Sequence, residues 1–420
     1  MVYISLCSLQ KEVRSMAYKT LEKSYYTDRD QYEQDYLNRF NGETTVHIDF
    51  DIHGNPAFFL PTNEMLSMDY RISKLDKAVT RIRSALPSAA VSQYFFKSLI
   101  DEVHLSLNIE QVYSTKKEIA ETYKTQKKNR LLGMINKYSA LLDHAEIPLK
   151  TCTDIRSLYD EICLPEILSE DTTNTPDGDI FRKAAVHVVA KGQREIHTGL
   201  VPEAKIISAM EKALYFLNRD NISILVRVAV FHYMFGYIHP FYDGNGRLAR
   251  FISSYSLSRE MDPLIAVRLS YTIKEQRSAY YKMFKMTNDK KNKGDLTSFI
   301  TGFLNILETS YQNLYDALSE REAQLNHFHK LLNKAIPSHK KLNDVAFLLL
   351  QVSLFSPSGL RMDEIGKYTG VGSRAVRNFL TSNETKSMFV CERDGRANLY
   401  SLNLQWLVHE SNPAEGQPTP

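Results

Sequence analysis

The chain of 420 residues is long enough for two or three domains, each with its own core. Hydrophobic residues make up 43% and charged residues 24%, which is ordinary for a globular protein, and a net charge of +3 is too mild to announce nucleic acid or a membrane surface. The four cysteines, Cys7, Cys152, Cys163 and Cys391, are scattered without a C-x-x-C pair, which excludes a disulfide framework and a cysteine-held zinc.

Residues 1–5 lack the basic start and apolar core of a signal peptide, and the greasiest stretch, residues 222–238, carries Arg227 and His232. The expectation is a cytoplasmic protein with no membrane partner. Over residues 44–60, Val46, Ile48, Phe50 and Ile52 alternate with His47, Asp49 and Asp51, a strand period. The turn residues 53–56 follow, and residues 57–60 form the return strand. From about residue 64 to 330 the apolar spacing is mostly helical, interrupted by a polar loop at 169–180. A second hairpin is expected inside this region, with residues 184–190 pairing back through Lys191-Gly192-Gln193 to 194–198. Pro202 opens the next helix. A long amphipathic helix over 299–334 is broken by Pro337. Three short helices follow, the third capped by Ser373 and carrying Arg374 and Arg377, then a hairpin around Asp394-Gly395. That order predicts a winged helix-turn-helix. Residues 410–420 are expected to be disordered.

Chemistry concentrates in residues 239–250. A nearly all-apolar helix ends at His239-Pro240, because proline disfavours the helical conformation in the residue before it. Asp243-Gly244-Asn245-Gly246 is a turn whose glycines let backbone N–H groups approach a ligand, and a helix begins directly after it. Such a helix N-terminus favours an anion through its free N–H groups and its dipole. Arg247 and Arg250 lean back toward that end. Asp243 beside phosphates suits magnesium, and His239 suits proton abstraction from an attacking hydroxyl. A base, a metal ligand, an anion hole and two arginines together suit transfer of a phosphorus centre.

The run 239–250 is similar in every fixed position to the Fic signature, H-P-F-x-[DE]-G-N-[GK]-R-x-x-R. The resemblance implies that His239 is the base, that Asp243 holds Mg2+, and that Gly244, Asn245 and Gly246 bind the α- and β-phosphates of ATP. Arg247 and Arg250 would engage the phosphate tail, with Arg250 nearest the γ-phosphate. Gly246, where some members carry lysine, points to AMP transfer. The hairpin at 184–200 resembles the family's flap, which holds a target segment as an added strand. Tyr280 or Tyr281 would pack on adenine; the other reading of both is ordinary helix packing. Ser106-Leu107-Asn108-Ile109-Glu110-Gln111 resembles the inhibitory pattern [ST]-x-x-x-E-[GN] up to its last position. The resemblance implies that Glu110 pairs with Arg250 and blocks the γ-phosphate site, with Ser106 as the other fixed position.

The expected fold is mainly α: a Fic-type helical domain with a small β-hairpin flap and a C-terminal winged helix-turn-helix domain. Expected boundaries are 1–63, an N-terminal region with a short hairpin; 64–335, the catalytic domain; 336–409, the winged helix; and 410–420, the tail. The implied function is a protein adenylyltransferase acting on a Ser, Thr or Tyr hydroxyl of a target protein or of itself. Removal of AMP and a nucleotide-sensing DNA-binding regulator are the alternatives, although a pure sensor has no need of His239. Arg374, Arg377, Arg393 and Arg396 suit DNA, but Glu384, Glu392 and Asp394 dilute that charge, so DNA or a protein partner stays open. A homodimer stays open as well.

Overall fold

The structure, a computed structural model, describes residues 18–189, 195–336, 340–395 and 397–411. The turn of the second hairpin, Pro337, Arg396 and the end of the tail lie outside the described residues.

Among the described residues two helices precede the first hairpin, where the sequence reading placed none: α1 (Leu21–Thr27) and α2 (Arg29–Phe40). Each is capped by a side chain, Thr20 accepting from Lys23 N–H and Asp28 from Gln31 N–H, both at 3.1 Å. The strands β1 (Val46–Ile52) and β2 (Asn55–Phe59) are antiparallel. Their turn is shorter than expected, because His53 and Gly54 both take positive φ and close it in two residues.

The helical body follows as α3 (Asn63–Ala85), α4 (Ser88–Ile109), α5 (Lys116–Thr125), α6 (Leu132–Ser139), α7 (Cys152–Ile162) and α8 (Leu164–Glu170). The second hairpin, β3 (His187–Val189) with β4 (Glu195–Thr198), is antiparallel and lies where it was expected. Then come α9 (Glu203–Leu217), α10 (Ile224–Ile238), α11 (Asn245–Glu260), α12 (Leu269–Glu275), α13 (Arg277–Thr287) and the 39-residue α14 (Thr297–Ala335). Helix α10 is buried on nearly every side, since it packs against α9, α11 and α14. Helix α14 forms a spine along α3 and also touches α12 and α13.

The C-terminal elements are α15 (Lys340–Phe355), α16 (Met362–Thr369), α17 (Ser373–Thr381), β5 (Phe389–Asp394), β6 (Ala397–Leu402) and α18 (Leu404–Ser411). Gly370 ends α16 in the left-handed region, φ 68°. Gly372 rather than Ser373 is the cap of α17, because its extended backbone turns the chain into the helix one residue earlier. Helix α15 packs on α4 and α14, and α18 packs on α14, so the apolar core runs unbroken from the helical body into these elements. No helix among the described residues is long and apolar enough to cross a membrane.

Helices α6 and α7 meet at Gly133, where a Cβ would fall 1.9 Å from the carbonyl oxygen of Glu161. Backbone cannot yield as a side-chain tip can. Gly133→Ala should therefore lower stability by about 1–3 kcal/mol, read as a lower urea midpoint at unchanged m.

Candidate active site

Helix α10 ends at His239, whose N–H donates to Phe235 O at 2.9 Å. The residue turns left-handed, φ 52° and ψ 63°, which ends the helix, although the residue before a proline more commonly takes an extended conformation. Arg182, fully buried, holds this corner. Its Nε donates to His239 O at 2.8 Å, Nη2 to Leu200 O at 3.0 Å and Nη1 to Ala184 O at 2.5 Å. One guanidinium thus ties both ends of the second hairpin to the histidine, a link that sequence reasoning missed. The flap histidine His197 donates through Nε2 to Tyr237 O at 2.5 Å. Burial, with Arg182 and His197 adding their charge, pulls the His239 pKa down to about 4. The imidazole is therefore neutral, and free to take a proton, at neutral pH.

Phe241 is stacked on Tyr159, ring centroids 3.7 Å apart, and meets Phe181 edge-on. Asn245 turns its side chain inward, accepting from Phe241 N–H at 3.0 Å and donating to Phe241 O at 2.8 Å. It stiffens the loop. Gly244 caps α11 at φ 83°, and a Cβ there would meet Cys163 and Tyr159. The first intrahelical bond is Leu248 N–H to Gly244 O at 3.0 Å, so the N–H groups of Asn245, Gly246 and Arg247 precede it and are the orphan donors of the helix end. Asp243 accepts from Gly244 N–H at 2.5 Å and stands 3.0 Å from Arg247 Nη2, with its carboxylate 45% exposed.

The two arginines have different fates. Arg250 is buried, yet each of its three nitrogens has a partner from α4 or the residue that caps it: Nε donates to Ser106 Oγ at 3.1 Å, Nη2 to Ser106 O at 2.8 Å, and Nη1 to Glu110 Oε1 at 2.7 Å. Ser106 and Glu110, read from sequence as a spaced pair, thus converge on one guanidinium. Gln111 adopts φ 66°, a conformation that glycine and asparagine tolerate best, so the departure from the pattern leaves the left-handed turn in place. Gly246 belongs to the same contact, because a Cβ there would lie 2.0 Å from Glu110 Oε1. Arg247 departs from expectation. Its side chain is fully buried, with Nη1 donating to Glu166 of α8, and it does not line the cleft. There it pairs with Glu166, whose side chain is itself buried.

The cleft itself is a cavity of about 1110 Å³, lined by His239, Asn245, Gly246, Arg250 and Glu110 and, farther along, by Tyr280, Tyr281 and residues of α1. Tyr280 is 5% exposed and shares a 2.7 Å hydrogen bond with His232 Nε2, so it is packed as well as cleft-lining. Tyr281 is half-buried beneath Arg277, 5.5 Å from its ring centroid. Among the described residues no cluster of three metal-ligating side chains occurs. Asp243 alone, one half-exposed carboxylate beside a phosphate-receptive helix end, fits an ion that takes most of its ligands from water and phosphate.

A neutral imidazole, a helix N-terminus and a cationic side chain thus surround one cleft of a mainly helical protein. The chain matches the model of the Fic/DOC family over residues 151–257. It is 27% identical over 259 residues to the protein adenylyltransferase Fic of Drosophila virilis, covering 57% of this chain and 46% of that protein. With the protein adenylyltransferase Fic of Drosophila erecta it shares 31% identity over 179 residues, 41% of this chain and 31% of the relative. The chain thus spans less than half the length of these curated relatives. A solved Fic family protein from Desulfovibrio desulfuricans G20 superposes with a TM-score of 0.50 at 18% identity, covering 85% of this chain and 98% of that one, a likeness of fold.

Glu102, fully buried on α4, accepts from Ser270 N–H through both oxygens, at 3.0 and 2.9 Å, and burial raises its pKa from 4.5 to about 7. Between those values the folded chain holds a proton that the unfolded chain has lost, so this residue's contribution to stability falls as pH rises from 4.5 to 7 and then levels off. Glu102→Gln should flatten that decline, measured as urea midpoints across pH 4.5–8 against the parent.

Proposed function

We propose that the protein is a protein adenylyltransferase that moves AMP from ATP to a hydroxyl of a protein target. The observation that carries the reading is the neutral His239 at the head of the turn that feeds the α11 N-terminus, within one cleft. In this mechanism the target hydroxyl gives its proton to His239 as its oxygen attacks the α-phosphorus. The α–β bridging bond breaks and pyrophosphate leaves. The orphan N–H groups of Asn245, Gly246 and Arg247 receive the phosphates, joined by Arg250 once that side chain is released. Mg2+ held by Asp243 would neutralise phosphate charge. The antiparallel pair β3 and β4 beside His239 offers an edge for an extended target segment. Tyr280 and Tyr281 line the part of the cleft left for the base.

Glu110 acts as a brake in this reading, since a carboxylate already paired with Arg250 competes with the γ-phosphate for it. The C-terminal elements read as a winged helix-turn-helix, supported by three helices followed by a hairpin. Exposed Arg374 and Arg377 on α17 give it a cationic face for DNA or for an acidic protein.

With α-labelled ATP and cell lysate, His239→Ala should lose transfer by about a hundred- to ten-thousand-fold while still binding ATP. The γ-labelled nucleotide should leave no label on protein. The acid limb of the wild-type rate should fall near pH 4, not near the ordinary histidine range, because the imidazole stays unprotonated down to that value. Undiminished transfer by the variant removes His239 from the mechanism. Glu110→Gly should raise transfer at least roughly tenfold, whereas Arg250→Ala, which breaks the same pair but deletes a phosphate ligand, should not. Equal activity of wild type and Glu110→Gly at saturating ATP would mean that α4 carries no brake.

A further inference from the structure

The second buried ion pair of the site, Arg247 with Glu166, belongs to no part of the mechanism above. Both side chains are almost wholly hidden, 0% and 2% exposed. Glu166 is itself flanked from behind by Arg130 at 4.0 Å, which also pairs with Glu118 at 3.3 Å and approaches Glu170 at 3.8 Å. The helix that carries Glu166 is packed on the motif turn, since Cys163 Sγ donates to Gly244 O at 3.7 Å. On its other side the Arg247 guanidinium lies 3.0 Å from Asp243 Oδ1. One buried cation therefore sits between two carboxylates, one hidden and fixed, the other half-exposed at the rim.

We propose that Glu166 is a positioning residue: as the standing counter-ion of Arg247, it leaves the Asp243 carboxylate free to exchange that arginine for a divalent cation. A buried guanidinium keeps a carboxylate partner because an unpaired buried charge is strongly unfavourable. With Glu166 neutralised, Asp243 becomes the remaining carboxylate at Arg247, and a cation must compete with the arginine for it. Supporting side chains behind a metal ligand commonly alter metal affinity by about 10–100-fold. The inference rests on the proposed nucleotide reading, and the experiment separates the two.

ATP affinity is titrated at equilibrium against Mg2+ in the 420-residue chain carrying Glu110→Gly and His239→Ala, which on that reading binds without turnover. Adding Glu166→Gln should raise the Mg2+ concentration for half-maximal ATP binding about tenfold, with affinity restored at saturating Mg2+. Glu166→Asp keeps the charge, so it protects against a folding failure, and should give a smaller rise. Replacing Arg247 together with Glu166 by glutamine should bring the midpoint back toward the parent, because the competing cation is gone. A purely structural glutamate would lower the melting temperature of both single variants, leave the Mg2+ midpoint of the folded protein unmoved and show no rescue, which would overturn the inference alone. Absence of Mg2+-dependent ATP binding in the parent would overturn the nucleotide reading and this inference with it.

Discussion

A guanidinium taken out of water is costly to leave unpaired, and Arg250 is the point where that constraint organises the site. It projects from α11, immediately beyond the motif turn, yet its three contacts come from Ser106 and Glu110, some 140 residues earlier in the chain. The arrangement needs α4 to run alongside α11 and to end in a left-handed turn at Gln111. It also needs residue 246 to lack a side chain, since a Cβ there would collide with the Glu110 carboxylate. Hydrogen bonds to a charged group are among the stronger ones, about 1.5–3 kcal/mol each, so the pairing is energetically as well as geometrically specific.

The rest of the motif loop is built for stiffness. Asn245 spends its amide on the backbone of Phe241, Phe241 is clamped between Tyr159 and Phe181, and Gly244 is pressed against Cys163. These contacts leave the backbone N–H groups at the start of α11 as the donors the loop presents outward. A stiff cradle of this kind suits electrostatic preorganisation, in which donors are in place before charge develops. Arg182 extends the same logic to the other wall by fastening the hairpin to His239.

Helix α4 also joins the site to the far end of the chain. Its flank packs against α15, so the helix that presents Ser106 and Glu110 shares a core with the C-terminal elements. An interior packed as densely as a crystal transmits displacement well. The C-terminal elements are therefore mechanically adjacent to the contact on Arg250, although they lie outside the cleft.

Much of the fold could be read from residue order, because it depends on local rules. The period-two run at Val46, the proline after His239, and the glycines at 244, 370 and 395 each announce a turn or an ending that the backbone itself requires. The placing of His239, Asn245, Gly246 and Arg250 around one cleft was legible for the same reason, because residues 239–250 are contiguous and a turn into a helix start gathers them. Helices α1 and α2 were not legible, since their polar, tyrosine-rich sequence carries little apolar periodicity. The pairing of Arg250 with Glu110 was anticipated from the resemblance, whereas the burial of Arg247 against Glu166 was not legible. Arg247 and Arg250 are alike in sequence, and only tertiary packing sets Glu166 behind one and Glu110 in front of the other. Glu166, Arg182 and Glu102 look like ordinary charged residues in the chain, because what distinguishes them is burial. Burial is decided by which helices pack together, and no local pattern records it.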